Sequence, residues 1–299
     1  MDAVKHILVG IELAPRTQEV TEGSRTAFEQ GLRLARELGA RLTLLHSVWH
    51  EGEALALSEA GRQTLDDLRK EAADADVPTR LEVTEARPWL ALLRNALRGE
   101  GDLVVVGKRD AQSAQGERRL GSVATKLIRK CPVPVWAVKP AHDLEHKLIL
   151  AAVDRSPMGE RVLKWSGFIA GRREADLHVV HAWRLPRDLK SRAGELSPEE
   201  YDEEKAALKS EAQDELDVRI AAAELTAPAN THLSRKSPAV AIKETVEHLA
   251  PDLLVMGSLS RGGRTGVQVG ETAERLLGRL DCSVLWLKPE DFVSPVAAD

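Results

Sequence analysis

The amino-acid sequence predicts two tandem α/β domains, each a mostly parallel sheet covered by helices. Three observations lead to this fold class. Strand-like segments recur in the same order in the two halves of the chain. Segments with helical periodicity separate these strands. Runs such as LVVV (103–106) are apolar on both faces, which is typical of parallel strands buried between helices.

The internal repeat pairs four strand-like segments of the first half with four of the second. The pairs are HILVGIE (6–12) with KLILAAVD (147–154), LTLLHSVW (42–49) with LHVVHAW (177–183), GDLVVVG (101–107) with PDLLVMG (251–257), and VWAVKP ending at Pro140 with LWLKP ending at Pro289. In the second pair, the spacing from His to Trp differs by one residue between the halves. Four matches in one order indicate a duplicated domain.

The repeat places the domain boundary close to the middle of the chain. We expect one domain over residues 1–144 and a second over residues 145–299, joined near AHDLEHK (141–147).

The helical segments carry recognisable end signals. The segment from Phe28 has its leucines largely on one face and stops at Gly39, as helices with a glycine cap do. In the second half, SPEE (197–200) supplies an N-cap serine, a first-turn proline and a glutamate at the third helical position. A charged helix is therefore expected from there towards Leu225.

Composition and charge exclude several classes of protein. The 42 basic and 47 acidic residues give a net charge of -5, without the basic surface that nucleic acid binding requires. The apolar run at 7–9 is too short for a signal peptide or a membrane span. We therefore expect a cytoplasmic protein that binds no nucleic acid and does not span a membrane.

The sequence shows no pattern of a metal centre or of a catalytic site. Cys131 and Cys282 lack partners at zinc or CxxC spacing and are expected to be buried. His178 and His181 stand three residues apart on a strand, so they point to opposite faces. GxSxG and HExxH are both missing. The expectation is a protein that is not primarily an enzyme and has no bound metal of its own.

A glycine-rich loop, VMGSLSRGGRTGVQVGETAE (255–274), follows a strand and precedes a helix. In open parallel sheets such loops lie where anionic ligands bind. The familiar phosphate motifs do not fit. GERRLGS (116–122) has Walker glycine spacing but no lysine, and no GxGxxG or SGGxDS follows a first strand.

In the second half, Asp154 ends the first strand, and Gly257 and Gly270 follow the fourth strand at the spacing of the outer glycines of a G-x2-G-x9-G motif. This arrangement resembles the universal stress protein family, in which Ser or Thr follows that motif. The resemblance extends over nearly all of both halves, and KLIRKCPVPVWAVKP (126–140) and GETAERLL (270–277) look most like its tandem, E-type branch. It implies two Rossmann-like (adenine nucleotide alpha hydrolase-like) domains, each with a five-stranded, mostly parallel sheet flanked by helices. It further implies an intramolecular pseudo-dimer through the last strands, which carry Trp136 and Trp286, and allows a homodimer of tandem chains.

The resemblance places a nucleotide site in the second half. The matching positions, with their neighbours in the loop, are Asp154, Gly257, Ser258, Gly263, Gly266, Gly270, Glu271 and Thr272. Two of them depart from the family pattern. Ser260 replaces the inner glycine, where a Cβ can hold the backbone away from a phosphate. Glu271 replaces the hydroxyl residue and would repel phosphate by about 1 to 4 kcal/mol at 4 Å, which Arg261 and Arg264 could offset.

The first half carries a more altered set at the same positions, namely Glu12, Gly107, Gly121 and Ser122. Asp110 replaces its inner glycine, and Gly121 comes one residue too late. The sequence therefore favours the second half. For each loop the alternative is a plain connection from strand to helix, and Asp154 equally suits a turn that caps the next helix.

The resemblance implies a bacterial or archaeal stress-response factor that binds a small ligand, a protein partner, or both. One alternative is a sensor of ATP or a related adenine nucleotide, bound with magnesium in the second half and slowly hydrolysed there. Another is a carrier of an amphipathic or lipid-like ligand in the cleft beside the loops.

Overall fold

The computed structural model divides the chain into two compact units. Unit 1 comprises Met1–Glu145 and Gly257–Asp299, and unit 2 comprises His146–Met256. The structure describes residues 4–50, 52–108, 111–112, 118–140, 146–185, 196–225, 228–258 and 269–298. The units follow spatial contacts, whereas the expected boundary at 144/145 follows the repeat and stays a prediction.

Both units alternate strands with helices. In unit 1 these are β1 (His6–Ile11), α1 (Glu22–Leu38), β2 (Arg41–Ser47), β3 (Trp49–His50), β4 (Glu53–Ala54), α2 (Glu59–Asp74), β5 (Thr79–Thr84), α3 (Pro88–Leu97), β6 (Leu103–Gly107), β7 (Ala111–Gln112), β8 (Arg118–Arg119), α4 (Ser122–Lys130), β9 (Val135–Val138), α8 (Glu271–Leu276) and β14 (Ser283–Leu287). In unit 2 they are β10 (Leu148–Val153), α5 (Pro157–Arg173), β11 (Asp176–Ala182), α6 (Pro198–Ala222), β12 (Ala229–Ser234), α7 (Pro238–Leu249) and β13 (Leu253–Gly257), which ends at the unit boundary.

The main sheet of each unit is parallel with one exception. In unit 1 the strand order is β14-β9-β6-β1-β2-β5, and only β14 runs antiparallel to its neighbour β9. In unit 2 the order is β12-β11-β10-β13, all parallel. The central strands are buried on both faces. This confirms the predicted mostly parallel α/β architecture.

The last strands of the two sequence halves, β9 and β14, pair with each other. Trp136 stands opposite Leu285, and Trp286 stands opposite Val135. Both tryptophans are buried, as their expected role in the core requires. Because paired residues share a face and consecutive residues alternate, the two tryptophans point to opposite faces of the sheet. They are therefore not structural equivalents, although both occupy a last strand.

The two helix-end signals read from the sequence are confirmed. Gly39 adopts the left-handed conformation with φ 63°, and its N–H caps the carbonyl groups of α1. Ser197 and Glu200 form a complete capping box at the start of α6. The helix α1 begins earlier than the segment read from the sequence, at Glu22, and α6 ends at Ala222, three residues before Leu225.

An aspartate before the fourth main strand of each half ties that strand to the first. Asp102 Oδ2 accepts hydrogen bonds from the backbone N–H groups of Lys5 (2.9 Å) and His6 (3.0 Å) in unit 1. Asp252 Oδ2 accepts one from Leu148 (2.9 Å) in unit 2. The Asp-Leu pair shared by GDLVVVG and PDLLVMG thus has a structural role.

Cys131 and Cys282 are both buried, as expected. Within the described part of the chain, no helix has the length and apolar character that crossing a membrane would require.

Candidate functional site

Unit 1 contains a cavity of about 750 Å³ at the carboxyl ends of its central strands. All four candidate residues of the first half line it. Glu12 directly follows β1, Gly107 ends β6, and Gly121 and Ser122 begin α4. Tertiary structure thus gathers residues that are far apart in sequence. The volume is in the range of small-molecule sites, about 300 to 1,000 Å³.

The floor and one wall of the cavity are apolar. Leu45, Leu92 and Val106 come from β2, α3 and β6. A segment that contains the short hairpin β3–β4 contributes the other wall, with Trp49 and Leu55 among its residues. Leu55 is 46% exposed, which is high for a leucine. This side of the cavity suits a ring or an aliphatic group.

Three cationic side chains lie around two indole rings at the cavity. The Arg87 guanidinium stands 5.4 Å from the centre of the Trp49 ring. Lys126 Nζ and Lys130 Nζ lie 5.4 and 5.2 Å from the centre of the Trp89 ring. Of these cations, Arg87 and Lys126 line the cavity and Lys130 does not.

None of the three cations forms an ion pair with a described carboxylate. Arg87, Lys126 and Lys130 are held by indole faces, which attract a cation without neutralising it. Arg87 and Lys126 therefore add positive charge to the lining of the cavity, which Glu12 also lines.

The amino end of α4 adds to this positive potential. Gly121 is its N-cap, and no side chain in the described part of the chain caps the helix. Ser122, Val123 and Ala124 of the first turn all line the cavity. Because unpaired N–H groups and the helix dipole favour negative charge, this end of the cavity favours an anion.

His46 lies in the cavity wall and was not among the candidates from the sequence. It is 7% exposed, and its Nδ1 lies 3.0 Å from the carbonyl oxygen of Ile11. Since a carbonyl can only accept, Nδ1 carries the proton and Nε2 keeps its lone pair. Burial lowers the pKa of His46, while the Ile11 carbonyl and Glu12 oppose that shift.

The same histidine contact occurs in unit 2. His181 Nδ1 lies 2.8 Å from the carbonyl oxygen of Val153, the residue before Asp154. In the strand register, His46 stands opposite Ile11 in unit 1, and His181 stands opposite Val153 in unit 2. The repeated histidine of LTLLHSVW and LHVVHAW was the sequence signal for this contact. The differing His-to-Trp spacing means only that Trp49 and Trp183 are not equivalent.

Gly107 has a structural reason to be glycine. A Cβ at this position would come within 3.0 Å of backbone atoms of Gly23, a separation that real side chains essentially never show. The first turn of α1 therefore packs directly on the end of β6. This close approach by itself accounts for glycine at position 107.

Asp154 of the second half uses its carboxylate within its own turn. Its Oδ1 accepts from the backbone N–H of Ser156 at 3.0 Å and also from the Ser156 hydroxyl. The helix α5 begins at the next residue, Pro157. This is the turn geometry that the sequence allowed as the alternative to a ligand contact.

The remaining described residues of the second-half set belong to unit 1, whereas Asp154 belongs to unit 2. Gly257 ends β13, and the N–H and hydroxyl of the buried Ser258 both donate to the Leu287 carbonyl, at 2.8 and 3.0 Å. Gly270 is the N-cap of α8, and its N–H donates to the Ser258 carbonyl at 2.8 Å. These polar groups are thus already engaged inside the protein.

Glu271 and Thr272 follow in the first turn of α8. The Glu271 carboxylate is 78% exposed and pairs with Arg275 at 2.6 Å. Thr272 is half-buried. Gly263 and Gly266, together with Ser260, Arg261 and Arg264, lie outside the described residues, as does Asp110. The preference for a second-half site stays a prediction, while the first-half residues share one cavity.

The model of the Universal stress protein family matches the chain twice, over residues 3–139 and 145–288. Among curated relatives, Universal stress protein E of Escherichia coli (strain K12) is 27% identical over 240 residues, 76% of this chain and 73% of the relative. Universal stress protein Mb2028c of Mycobacterium bovis is 31% identical over 245 residues, 77% and 75% of the two chains.

Solved structures show the same fold. Protein PA1789 from Pseudomonas aeruginosa PAO1 superposes with a TM-score of 0.73 at 20% identity, covering 97% of this chain and 94% of that chain. A universal stress protein from Archaeoglobus fulgidus DSM 4304 gives a TM-score of 0.59 at 15% identity, covering 96% and 99%.

Proposed function

Because the chain belongs to the universal stress protein family, as a tandem member of its E-type branch, we propose that it acts by binding a small anionic ligand in the unit 1 cavity. The observation that carries this proposal is the set of cations around the cavity. Arg87 and Lys126 line it without a described carboxylate partner, next to the uncapped amino end of α4. Such a site favours a phosphate or a carboxylate.

The shape of the cavity narrows the ligand class. The lining combines the cations Arg87 and Lys126 with apolar side chains such as Leu45, Leu92 and Val106. A phosphorylated molecule with a ring system matches both kinds of lining residue. We therefore propose adenine nucleotides, ATP or AMP, as the first ligands to test. Binding, rather than turnover, is the proposed activity.

Calorimetry of the intact protein with ATP and with AMP, each with and without magnesium, tests this function. The Lys126→Met substitution removes a cation from the cavity wall, and we expect it to weaken binding by about 10- to 100-fold. Lys130→Met is the matched control, because Lys130 contacts the same indole ring but does not line the cavity. Equal affinities in the wild type and Lys126→Met would refute the assignment.

A nucleotide site in the second half makes the opposite prediction. There, Gly270→Val would abolish binding and Lys126→Met would leave it unchanged. If binding is found, Lys126→Met and Gly270→Val also test slow hydrolysis. Metal-dependent hydrolysis of ATP should be lost in whichever of the two variants loses nucleotide binding.

An amphipathic ligand is a second candidate, favoured by the exposed Leu55 and the neighbouring Trp49 in the cavity wall. Mass spectrometry of gently purified protein would then show a copurified species with an anionic head group. Protein that is empty in several preparations would argue against a carrier.

A further inference from the structure

The strand β5 forms one edge of the unit 1 sheet, and its pairing with β2 fixes which of its backbone groups point outwards. The carbonyl groups of Pro78 and Thr84 each accept a hydrogen bond of 2.9 Å from the β2 side. In a parallel pair, every second residue directs both its N–H and its C=O to the same neighbour. The N–H and C=O groups of Thr79, Leu81 and Val83 therefore point away from β2.

This edge is open to a further strand. Among the described residues, none of the outward N–H and C=O groups of Thr79, Leu81 and Val83 has a hydrogen-bond partner. Val83 is also 44% exposed, which is high for a valine in a strand. A row of unpaired backbone groups is a template on which another strand can add.

Two side chains of opposite charge accompany this edge. Arg80 and Glu82 lie on the same face of β5, and Arg80 Nη2 is 3.4 Å from Glu82 Oε2. Glu82 Oε1 accepts a hydrogen bond of 3.1 Å from Asn95 Nδ2 of α3, which helps to hold its carboxylate in place. The Arg80 side chain is 68% exposed and can reach a strand that adds to the edge.

These charges select one register for a second copy of β5. In an antiparallel pair of identical strands, outward residues must face outward residues, so the two-fold axis passes beside a residue. An axis at Arg80 sets two guanidinium groups opposite each other, and an axis at Glu82 sets two carboxylates opposite each other. An axis at Leu81 instead places Arg80 opposite Glu82 of the second copy, twice by symmetry.

The same register satisfies the backbone. Leu81 then faces its own copy, and Thr79 faces Val83 of the second copy, so all the outward groups of these residues are paired. Arg80 and Glu82 take the non-hydrogen-bonded positions, where facing Cα atoms are about 4.5 Å apart and side chains meet most closely. We propose that two copies of the chain associate through β5 in this register, as a symmetric dimer whose sheet continues across the axis.

The strength of this association follows from its size. An edge strand of six residues buries less surface than a standard interface, so we expect a reversible dimer. Its Kd should lie between about 1 μM and 1 mM. Sedimentation velocity of the intact protein over a range of concentrations measures this constant.

The Arg80→Glu substitution turns both opposite-charge pairs of the dimer into like-charge pairs. We expect it to raise the Kd by about 10- to 30-fold, and Glu82→Lys should do the same. An equimolar mixture of the two single variants should recover a dimer, because each chain then carries two charges opposite to those of its partner. The double variant Arg80→Glu, Glu82→Lys should recover a dimer by itself.

Arg275→Glu is the matched control, since it makes the same change of charge at another exposed arginine that pairs with a glutamate. It should leave the Kd unchanged, and circular dichroism checks that each variant is folded. A wild-type protein that stays monomeric up to about 1 mM would overturn the proposal. A Kd that is equal in the wild type and Arg80→Glu, or a mixture of the single variants that recovers no dimer, would also overturn it.

Discussion

Gly107→Ala should destabilise unit 1, although it adds a single methyl group. The new Cβ would lie 2.9 Å from the Cα of Gly23 and closer still to the Gly23 carbonyl group. Reaching 3.4 Å from that Cα alone requires a shift of roughly 0.5 Å. Both partners are backbone, so no side-chain rotation relieves the clash. Overpacking of this kind costs about 1 to 3 kcal/mol.

The assay is urea denaturation followed by circular dichroism, with thermal melting as a second measurement. Each kcal/mol should lower Tm by about 2 to 4 °C for a unit of this size. Gly23→Ala is the matched control on the other side of the same contact. Its Cβ would meet neighbours only at 3.6 Å or more, and alanine in α1 should be neutral or stabilising by up to about 1 kcal/mol. If both variants were as stable as the wild type, the close approach of α1 and β6 would be refuted.

Two further predictions concern stability. Asp102→Ala removes the acceptor of two backbone N–H groups and should cost about 1 to 3 kcal/mol in urea denaturation. Asp252→Ala removes the corresponding acceptor of the Leu148 N–H and should also destabilise the protein. Equal stability of the wild type and both variants would contradict this role. Burial lowers the pKa of His46 below its ordinary value of 6.5 in the folded protein. As the pH falls, His46 is therefore protonated in the unfolded protein before it is protonated in the folded protein. The free energy of unfolding should therefore decrease as the pH falls below 6.5, and it should decrease less steeply in His46→Asn. Identical pH profiles of the two proteins would show that His46 does not cause this loss of stability.

The sequence contained enough local information for the order and type of the main elements. Alternation of apolar strands and periodic helices, repeated in both halves, predicted two tandem α/β domains, and the structure and the family match confirm that architecture. Signals that act within a few residues were equally readable. Gly39 and the capping box at Ser197 have the structures that their neighbours in the chain dictate.

The candidate site was only partly predictable. The sequence named Glu12, Gly107, Gly121 and Ser122 but favoured the second half, because motif spacing and the replacements at motif positions were the only criteria that it offered. It could not show that these four line a cavity, nor that cations beside Trp49 and Trp89 leave positive charge there. Cavity shape and charge depend on contacts between distant segments.

By itself, then, the sequence determined the duplication, the strand and helix pattern and the family, because periodicity and repeats are written along the chain. Only the tertiary structure decided that Trp136 and Trp286 face opposite sides of the sheet, that Gly107 packs against the backbone of Gly23, and that His46 lies opposite Ile11. Each of these depends on strand register or on a close backbone approach. A shift of a single residue changes such relations while leaving the local sequence pattern unaltered.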